Sequence, residues 1–394
     1  MSLEWDALIV GSGLSGATIA RVLAERYGFR VLVVERRGVV GGNVYDEYDE
    51  SGVFVQRYGP HAFHTDNLQA CDFITRFSVW TPWELTSFAD LGGGVRCPVP
   101  FGLSTIDHVY SSMAARNLRE RLRSEFGATP AVPVRLLLSS ADPWVTAFGR
   151  TLVELDYRPY TSKQWNMSPE SLDVSVFDRV QVSLDGELRY FRDAWQLMPV
   201  TGFGSVVTEM LRHPLISVRT STDARSVIRV SDTAVLHANG DSSELGLPVV
   251  YTGPIDELLD YRFGRLPWRS LTFEYQTRDR ANGEPAPVVA YPLAEGFTRI
   301  TDFGQFPYQH RTTERTTVAV EYPHSVDEST NLEPYYPVPS EESRAQYERY
   351  AAAVRRVNGL FLAGRLADYR YYNMDQAVQH ALEVAEKIGS MYVR

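Results

Sequence analysis

Ala7-Leu8-Ile9-Val10 is an unbroken apolar run about one strand long, and it ends at Gly11. Continuous rather than alternating hydrophobicity predicts a strand buried on both faces. Ala17, Ile19, Ala20, Leu23 and Ala24 then recur at helical spacing, and Val31-Leu32-Val33-Val34 is a second buried strand ending in Glu35. The chain therefore opens on a βαβ unit. Apolar strands of the same kind are predicted at 247–251, closed by Thr252-Gly253-Pro254, and at 359–364, ending in glycine. A last helix carries Ala377, Val378, Ala381, Leu382, Ala385 and Ile388 on one face.

Between these ends the pattern changes. A strand is expected at 53–55, and Gly92-Gly93-Gly94 reads as a hairpin turn between short strands. Residues 104–157 read mostly as helices, clearest at 117–126 and at 142–157, where Asp142-Pro143 is a helix start. The stretch 166–200 is irregular. Helices are expected at 203–213 and 341–357, a strand at 216–218, and β-like stretches through 268–322, such as 316–322. Strands of nucleotide-binding type lie at both ends, so that domain is expected to be discontinuous.

Composition narrows the class. The 394 residues are 44% hydrophobic and 22% charged, ordinary values for a globular protein. A formal charge of −10 argues against nucleic acid as partner. The 2 cysteines, Cys71 and Cys97, exclude a disulfide scaffold and a four-cysteine zinc site. No apolar run approaches the roughly 18 residues of a membrane span, and no secretory leader is visible, so a cytoplasmic enzyme is expected. The 22 tyrosines hint at stacking surfaces.

Gly11, Gly13 and Gly16 form G-x-G-x-x-G between strand and helix. The spacing suits a pyrophosphate held at a helix N-terminus, with Glu35 placed for ribose hydroxyls. A structural glycine turn is the alternative, but strand, helix and acid are all in place. Arg36-Arg37-Gly38 and a second glycine pair, Gly41-Gly42-Asn43, follow the acid. That loop resembles FAD-binding proteins of the amine-oxidase and reductase type, where a C-terminal strand and helix close over the cofactor, as Gly364-Arg365 and the helix from Asn373 would. Asn373 with Gln376 also fits plain helix capping.

Further tracts carry a closer resemblance. They are Tyr58-Gly59-Pro60-His61-Ala62-Phe63-His64-Thr65, Tyr160-Thr161-Ser162-Lys163-Gln164-Trp165, Arg179, Tyr190-Phe191, Tyr251-Thr252-Gly253-Pro254, Phe297-Thr298-Arg299-Ile300, Glu333-Pro334-Tyr335-Tyr336-Pro337 and Gly364-Arg365-Leu366-Ala367-Asp368-Tyr369. In order and spacing the chain resembles the bacterial UDP-galactopyranose mutase family. The resemblance implies an α/β fold: an FAD-binding Rossmann-like domain with an inserted helical domain and a β-sheet substrate domain. The expected division is 1–85, 201–265 and 340–394 for the discontinuous FAD-binding domain, 102–165 for the helical domain, and 86–101, 166–200 and 266–339 for the sheet domain.

The resemblance also implies a non-redox pyranose–furanose interconversion of a nucleotide sugar. Reduced flavin N5 attacks the anomeric carbon, the nucleoside diphosphate leaves, the sugar ring opens and recloses through another hydroxyl, and the diphosphate returns. Ser15, Arg36, Gly42, Asn43, His61, Val218, Gly364, Arg365, Asp375 and Gln376 join Gly11, Gly13, Gly16 and Glu35 as expected FAD contacts. Arg179 and Arg299 are expected to pair with the diphosphate, since a guanidinium is a permanent forked donor; surface salt bridges are the plainer alternative. Tyr157, Tyr160, Thr161 and Trp165 would hold the base, or pack as core. Tyr190, Tyr336, Tyr371 and Asn373 would complete the substrate contacts. His61 and His64 would face the flavin ring; two satisfied core histidines are the bland reading, and no third ligand supports a metal. Arg179 falls in a stretch, 171–181, that the resemblance equates with a lid.

Three positions depart from the family pattern. Ala290 and Leu85 stand where amides would contact the sugar, and Ser183 replaces an arginine. A sugar other than plain galactose is expected: a 6-deoxyhexose, a pentose or an N-acetylated sugar, on UDP or TDP. An amine-oxidase-like oxidoreductase and a non-catalytic nucleotide-sugar binder are the rival readings. A homodimer is left open.

Overall fold

The apolar runs from the two ends of the chain become one sheet. The computed structural model describes residues 4–168, 180–238, 244–309, 314–327 and 332–392. Its strands Ile216–Arg219, Val31–Val34, Ala7–Val10, Val249–Tyr251 and Leu360–Leu362 lie side by side in that order, every neighbouring pair parallel. Alternate side chains serve different cores. Ala7, Ile9, Val31 and Val33 pack with the helices Leu14–Tyr27, Phe203–Leu211 and Met374–Tyr392. Leu8, Val10, Leu32 and Val34 pack on the other side with Ile228, Val235 and Tyr350. Two covered faces are why these strands are apolar without alternation.

A second sheet has seven strands, in the order Tyr336–Pro337, Trp268–Asp279, Arg315–Val326, Arg299–Asp302, Val288–Ala290, Ser87–Asp90 and Arg96–Val99. The Gly92–Gly94 turn joins the last two, as the sequence predicts. Helices Leu103–Val109, Ser112–Phe126, Val134–Leu138 and Pro143–Leu152 enclose a separate core with Ala89 and Cys97 of that sheet. Asp142 caps the Pro143 helix by accepting from Trp144 N at 2.8 Å. The helix does not stop at Tyr157. It widens into a π-helical turn over Val153–Tyr157 and continues as Arg158–Trp165. Pro159 sits at the start of that last segment, directly after the π-helical turn.

Part of the stretch that reads as irregular forms a strand, Trp195–Pro199, between Phe63–Thr65 and Trp80–Pro82. It sets His64 opposite Gln196. Among the described residues no helix is long and apolar enough to cross a membrane, and no cluster of three or more His, Cys, Asp or Glu could hold a metal.

Candidate active site

Gly11, Gly13, Ser15, Gly16, Glu35, Arg36, Gly42, Asn43, His61, Gly364 and Arg365 line one cavity at the C-terminal ends of the parallel strands. That is where open α/β sheets bind ligands. Gly11 has φ +99°, and a Cβ on Gly16 would collide with the Gly11 carbonyl. The turn therefore needs both glycines for close helix–strand approach. Glu35 is buried; its carboxylate accepts from Ser12 N at 2.9 Å, Ser12 Oγ at 2.7 Å and Arg37 N at 2.8 Å. These bonds fix the acid at the strand end and leave lone pairs for a ribose.

Three expected cofactor contacts are not on this wall. Val218 pairs in register with Val33 and packs into the core, so residues 222–225 and 228–230 supply the wall instead. Asp375 turns away to accept from Thr65 Oγ1 at 2.9 Å. Gln376 is spent on the cap, accepting from Asn373 N at 3.0 Å. Helical periodicity is the reason: Asn373, Met374 and Ala377 face the cavity, and the residues between them do not.

Arg37 was not singled out by the sequence, because the Arg36-Arg37 doublet does not say that both side chains line the wall. Its guanidinium stacks 4.0 Å from the Tyr58 ring centroid, donates to Asn43 Oδ1 at 3.0 Å and pairs with Glu333. Burial works against its charge, but Glu333 holds its pKa above the ordinary arginine value. Nη1 is buried with no partner. An orphaned cationic N–H in the cavity wall suits the anionic and carbonyl oxygens of a dinucleotide.

A second cavity shares His61, Arg365, Asn373 and Met374 with the first. It is lined by His64, Tyr157, Tyr160, Thr161, Trp165, Tyr190, Arg299, Tyr336 and Tyr371, which come from the seven-stranded sheet, the strand Phe63–Thr65, the stretch before Trp195, the C-terminal region and the inserted helices. Tyr336 and Tyr371 stack at 5.5 Å, and Arg365 lies 4.9 Å from each ring centroid. Arg299 donates to Glu321 Oε2 at 2.7 Å. Burial opposes the Arg299 charge, yet Glu321 keeps its pKa well above the usual value, so it is a fixed cation.

His61 is pushed down to about 4 by burial, with the neighbouring Arg365 adding to the effect. Its Nδ1 lies 2.8 Å from the Gly59 carbonyl, which can only accept. The ring is therefore neutral with the proton on Nδ1, and Nε2 is left as an acceptor. His64 stacks on Phe191 at 3.5 Å with Nδ1 2.9 Å from Asp193.

The aromatic end is anchored from below. Lys163 Nζ donates to the Tyr291, Ala294 and Phe297 carbonyls at 2.6–2.7 Å, and Arg269 donates to Gln164 O at 2.7 Å. Tyr157 OH donates to Val180 O at 2.7 Å, and Trp165 meets Tyr336 edge-on at 6.4 Å. Leu85 and Ala290 both line this cavity. Ser183 does not: it is buried in a two-residue strand and accepts from Arg192 at 3.0 Å, so its departure from the family pattern leaves this wall unchanged. Arg179 lies outside the described residues. Asp156, Gln164 and Glu321 are wall residues that the sequence reading missed. Only their folded neighbours distinguish them from surface polar residues.

A family model described as UDP-galactopyranose mutase matches residues 156–371, and one described as an NAD(P)-binding Rossmann-like domain matches 9–77. The UDP-galactopyranose mutase of Mycoplasma pneumoniae is 33% identical over 389 residues, covering 98% of this chain and 96% of that protein. The dTDP-fucopyranose mutase of Escherichia coli is 30% identical over 383 residues, covering 96% and 97%. A crystal structure of reduced UDP-galactopyranose mutase superposes with a TM-score of 0.75 at 18% identity, covering 99% of this chain and 94% of that one. The likeness runs from the first glycine turn to the last helix, and the chain belongs to the UDP-galactopyranose mutase family.

Proposed function

We propose that this protein interconverts the pyranose and furanose forms of a nucleotide sugar with FAD as its cofactor. One observation carries the reading: the dinucleotide cavity and the aromatic, cationic cavity meet at His61, Arg365, Asn373 and Met374. A sugar held in the second cavity can reach a ring held in the first. FAD, when bound and reduced, supplies the nucleophile of the reaction. The residues of the chain bind and orient.

In this reading Arg299, with Arg365 and the hydroxyls of Tyr190, Tyr336 and Tyr371, grips the diphosphate, and Arg179 adds a second cation. The diphosphate must leave and return without escaping, so a fixed cation suits the task better than a titrating one. Tyr157, Tyr160, Thr161 and Trp165 hold the base. His61 offers an uncharged acceptor at the junction, with His64 packed nearby, and Asn373 contacts the sugar. The three-domain division expected from the sequence is part of the proposal. Leu85 and Ala290 favour a sugar with fewer hydroxyls than galactose or with a bulkier group. The fucopyranose relative, whose named sugar is a 6-deoxyhexose, supports that preference.

The test is to incubate dithionite-reduced protein with a panel of UDP- and TDP-sugars and follow products by NMR. Pyranose–furanose conversion without stoichiometric reductant consumption is expected. Net sugar oxidation with hydrogen peroxide release would overturn the proposal in favour of an oxidoreductase. Tight binding of every sugar without turnover would make the protein a binder.

A further inference from the structure

The second cavity has a direction. His61, at the junction, interacts electrostatically with Arg365 and Arg299; Tyr160 with Arg299, Glu321, Tyr190 and Asp156; and Asp156 with Lys163. A nucleotide sugar bound with its sugar at the junction and its diphosphate at Arg299 places its base beside Tyr160, Trp165 and Asp156. The inference below rests on the nucleotide-sugar reading.

Asp156 is anomalous there. It stands in the π-helical turn Val153–Tyr157, a kind of irregularity that often marks functional sites. Its side chain lines the cavity, and it makes no hydrogen bond or ion pair among the described residues. Lys163, the one nearby ammonium, directs its bonds to three backbone carbonyls. Gln164 lines the same end, and its side-chain oxygen is buried with no partner. A desolvated carboxyl without donors is costly as an anion and cheaper as a neutral acid. As an acid it carries one donor and one acceptor side by side.

A uracil or thymine ring presents the complementary pair, an N3–H donor beside a carbonyl acceptor. We infer that Asp156 is the specificity-determining residue of the base site, reading this imide edge as a neutral carboxylic acid. The acid O–H donates to the ring carbonyl, and the acid C=O accepts from N3–H. An ionised Asp156 keeps only the second bond and repels the ring carbonyl. Burial holds Asp156 up at about 7, against the pull of Lys163. Tyr160, four residues on, interacts electrostatically with Asp156 and with Arg299, Glu321 and Tyr190.

The test measures UDP affinity of the full-length, FAD-loaded protein by titration calorimetry at pH 6 and pH 8. If only the neutral acid binds well, a midpoint of about 7 weakens wild-type affinity by about tenfold over that interval. Asp156→Asn keeps a donor beside an acceptor and cannot ionise. It should hold wild-type affinity at pH 6 and lose the tenfold drop, so phosphate titration, common to both proteins, cancels. Asp156→Ala should bind more weakly than either at pH 6. Equal pH dependence in wild type and Asp156→Asn overturns the inference, as does wild-type affinity in Asp156→Ala. If wild type binds no UDP or TDP at either pH, the nucleotide-sugar reading fails and takes this inference with it.

Discussion

Replacing Glu321 by glutamine should weaken the free protein and make it more dependent on its ligand. Glu321 is 2% exposed and accepts from Arg299 Nε at 2.7 Å and from Thr298 Oγ1 at 3.1 Å. The Arg299 side chain is 24% exposed, toward the cavity. Glutamine keeps the shape and one acceptor but removes the compensating charge. Opposite charges about 4 Å apart attract by about 4 kcal/mol at an effective dielectric near 20. Leaving a buried charge unpaired costs about 3–5 kcal/mol. Partial exposure of Arg299 puts Glu321→Gln at the low end, about 3 kcal/mol. With a urea m-value of about 3 kcal/mol/M, the unfolding midpoint should fall by about 1 M. A bound diphosphate supplies the missing negative charge, so saturating UDP should raise the variant's midpoint more than the wild type's. The assay is urea unfolding followed by tryptophan fluorescence at equal FAD loading, with and without UDP. Coincident midpoints without ligand, or equal gains from UDP, would refute the view that Glu321 balances a cation reserved for an anion.

Four other outcomes are expected. The purified protein should be yellow, and acid or heat should release its FAD, because no attachment motif is present; a colourless protein that binds only NAD would defeat this. Arg179→Ala should lower kcat/KM by about 10- to 100-fold, the value of one charge-assisted contact, with FAD content unchanged; loss of FAD or of folding would make Arg179 structural. Asp46 accepts from Phe203 N and Gly204 N, and burial holds it up at about 7. Its folded value lies above its unfolded one, so its contribution to stability is lost as pH rises from about 4 to 7. Asp46→Asn should flatten the decline of the urea midpoint across that window. His61 should titrate near 4 rather than 6.5, read from its ring proton shifts by NMR; titration above 6 would place it outside the buried junction.

Much of this protein was legible in its residues. Unbroken apolar runs at 7–10, 31–34 and 249–251, each beside a glycine turn or an acid, specify two-sided burial and a Rossmann-like sheet, because only a strand covered on both faces is apolar throughout. Gly11 and Gly16 announce the turn, since no other residue fits that backbone. The tracts around His61, Tyr160, Arg299 and Arg365 declare the family.

Tertiary structure decided what periodicity leaves degenerate. Which charges the two adjacent arginines of the cavity wall face, and why Met374 and Ala377 line it while Asp375 and Gln376 do not, depend on how strand ends and helices are rotated in the packed molecule. The partner of Arg299 and the position of Asp156 are set in the same way. Arg299 meets Glu321 because their strands pair antiparallel in register, 22 residues apart in sequence. Asp156 sits against the cavity where the helix widens into the π-helical turn. No local pattern encodes either event. The residue types were written in the chain, but the charges they face, and so the chemistry they can do, come from neighbours brought together by folding.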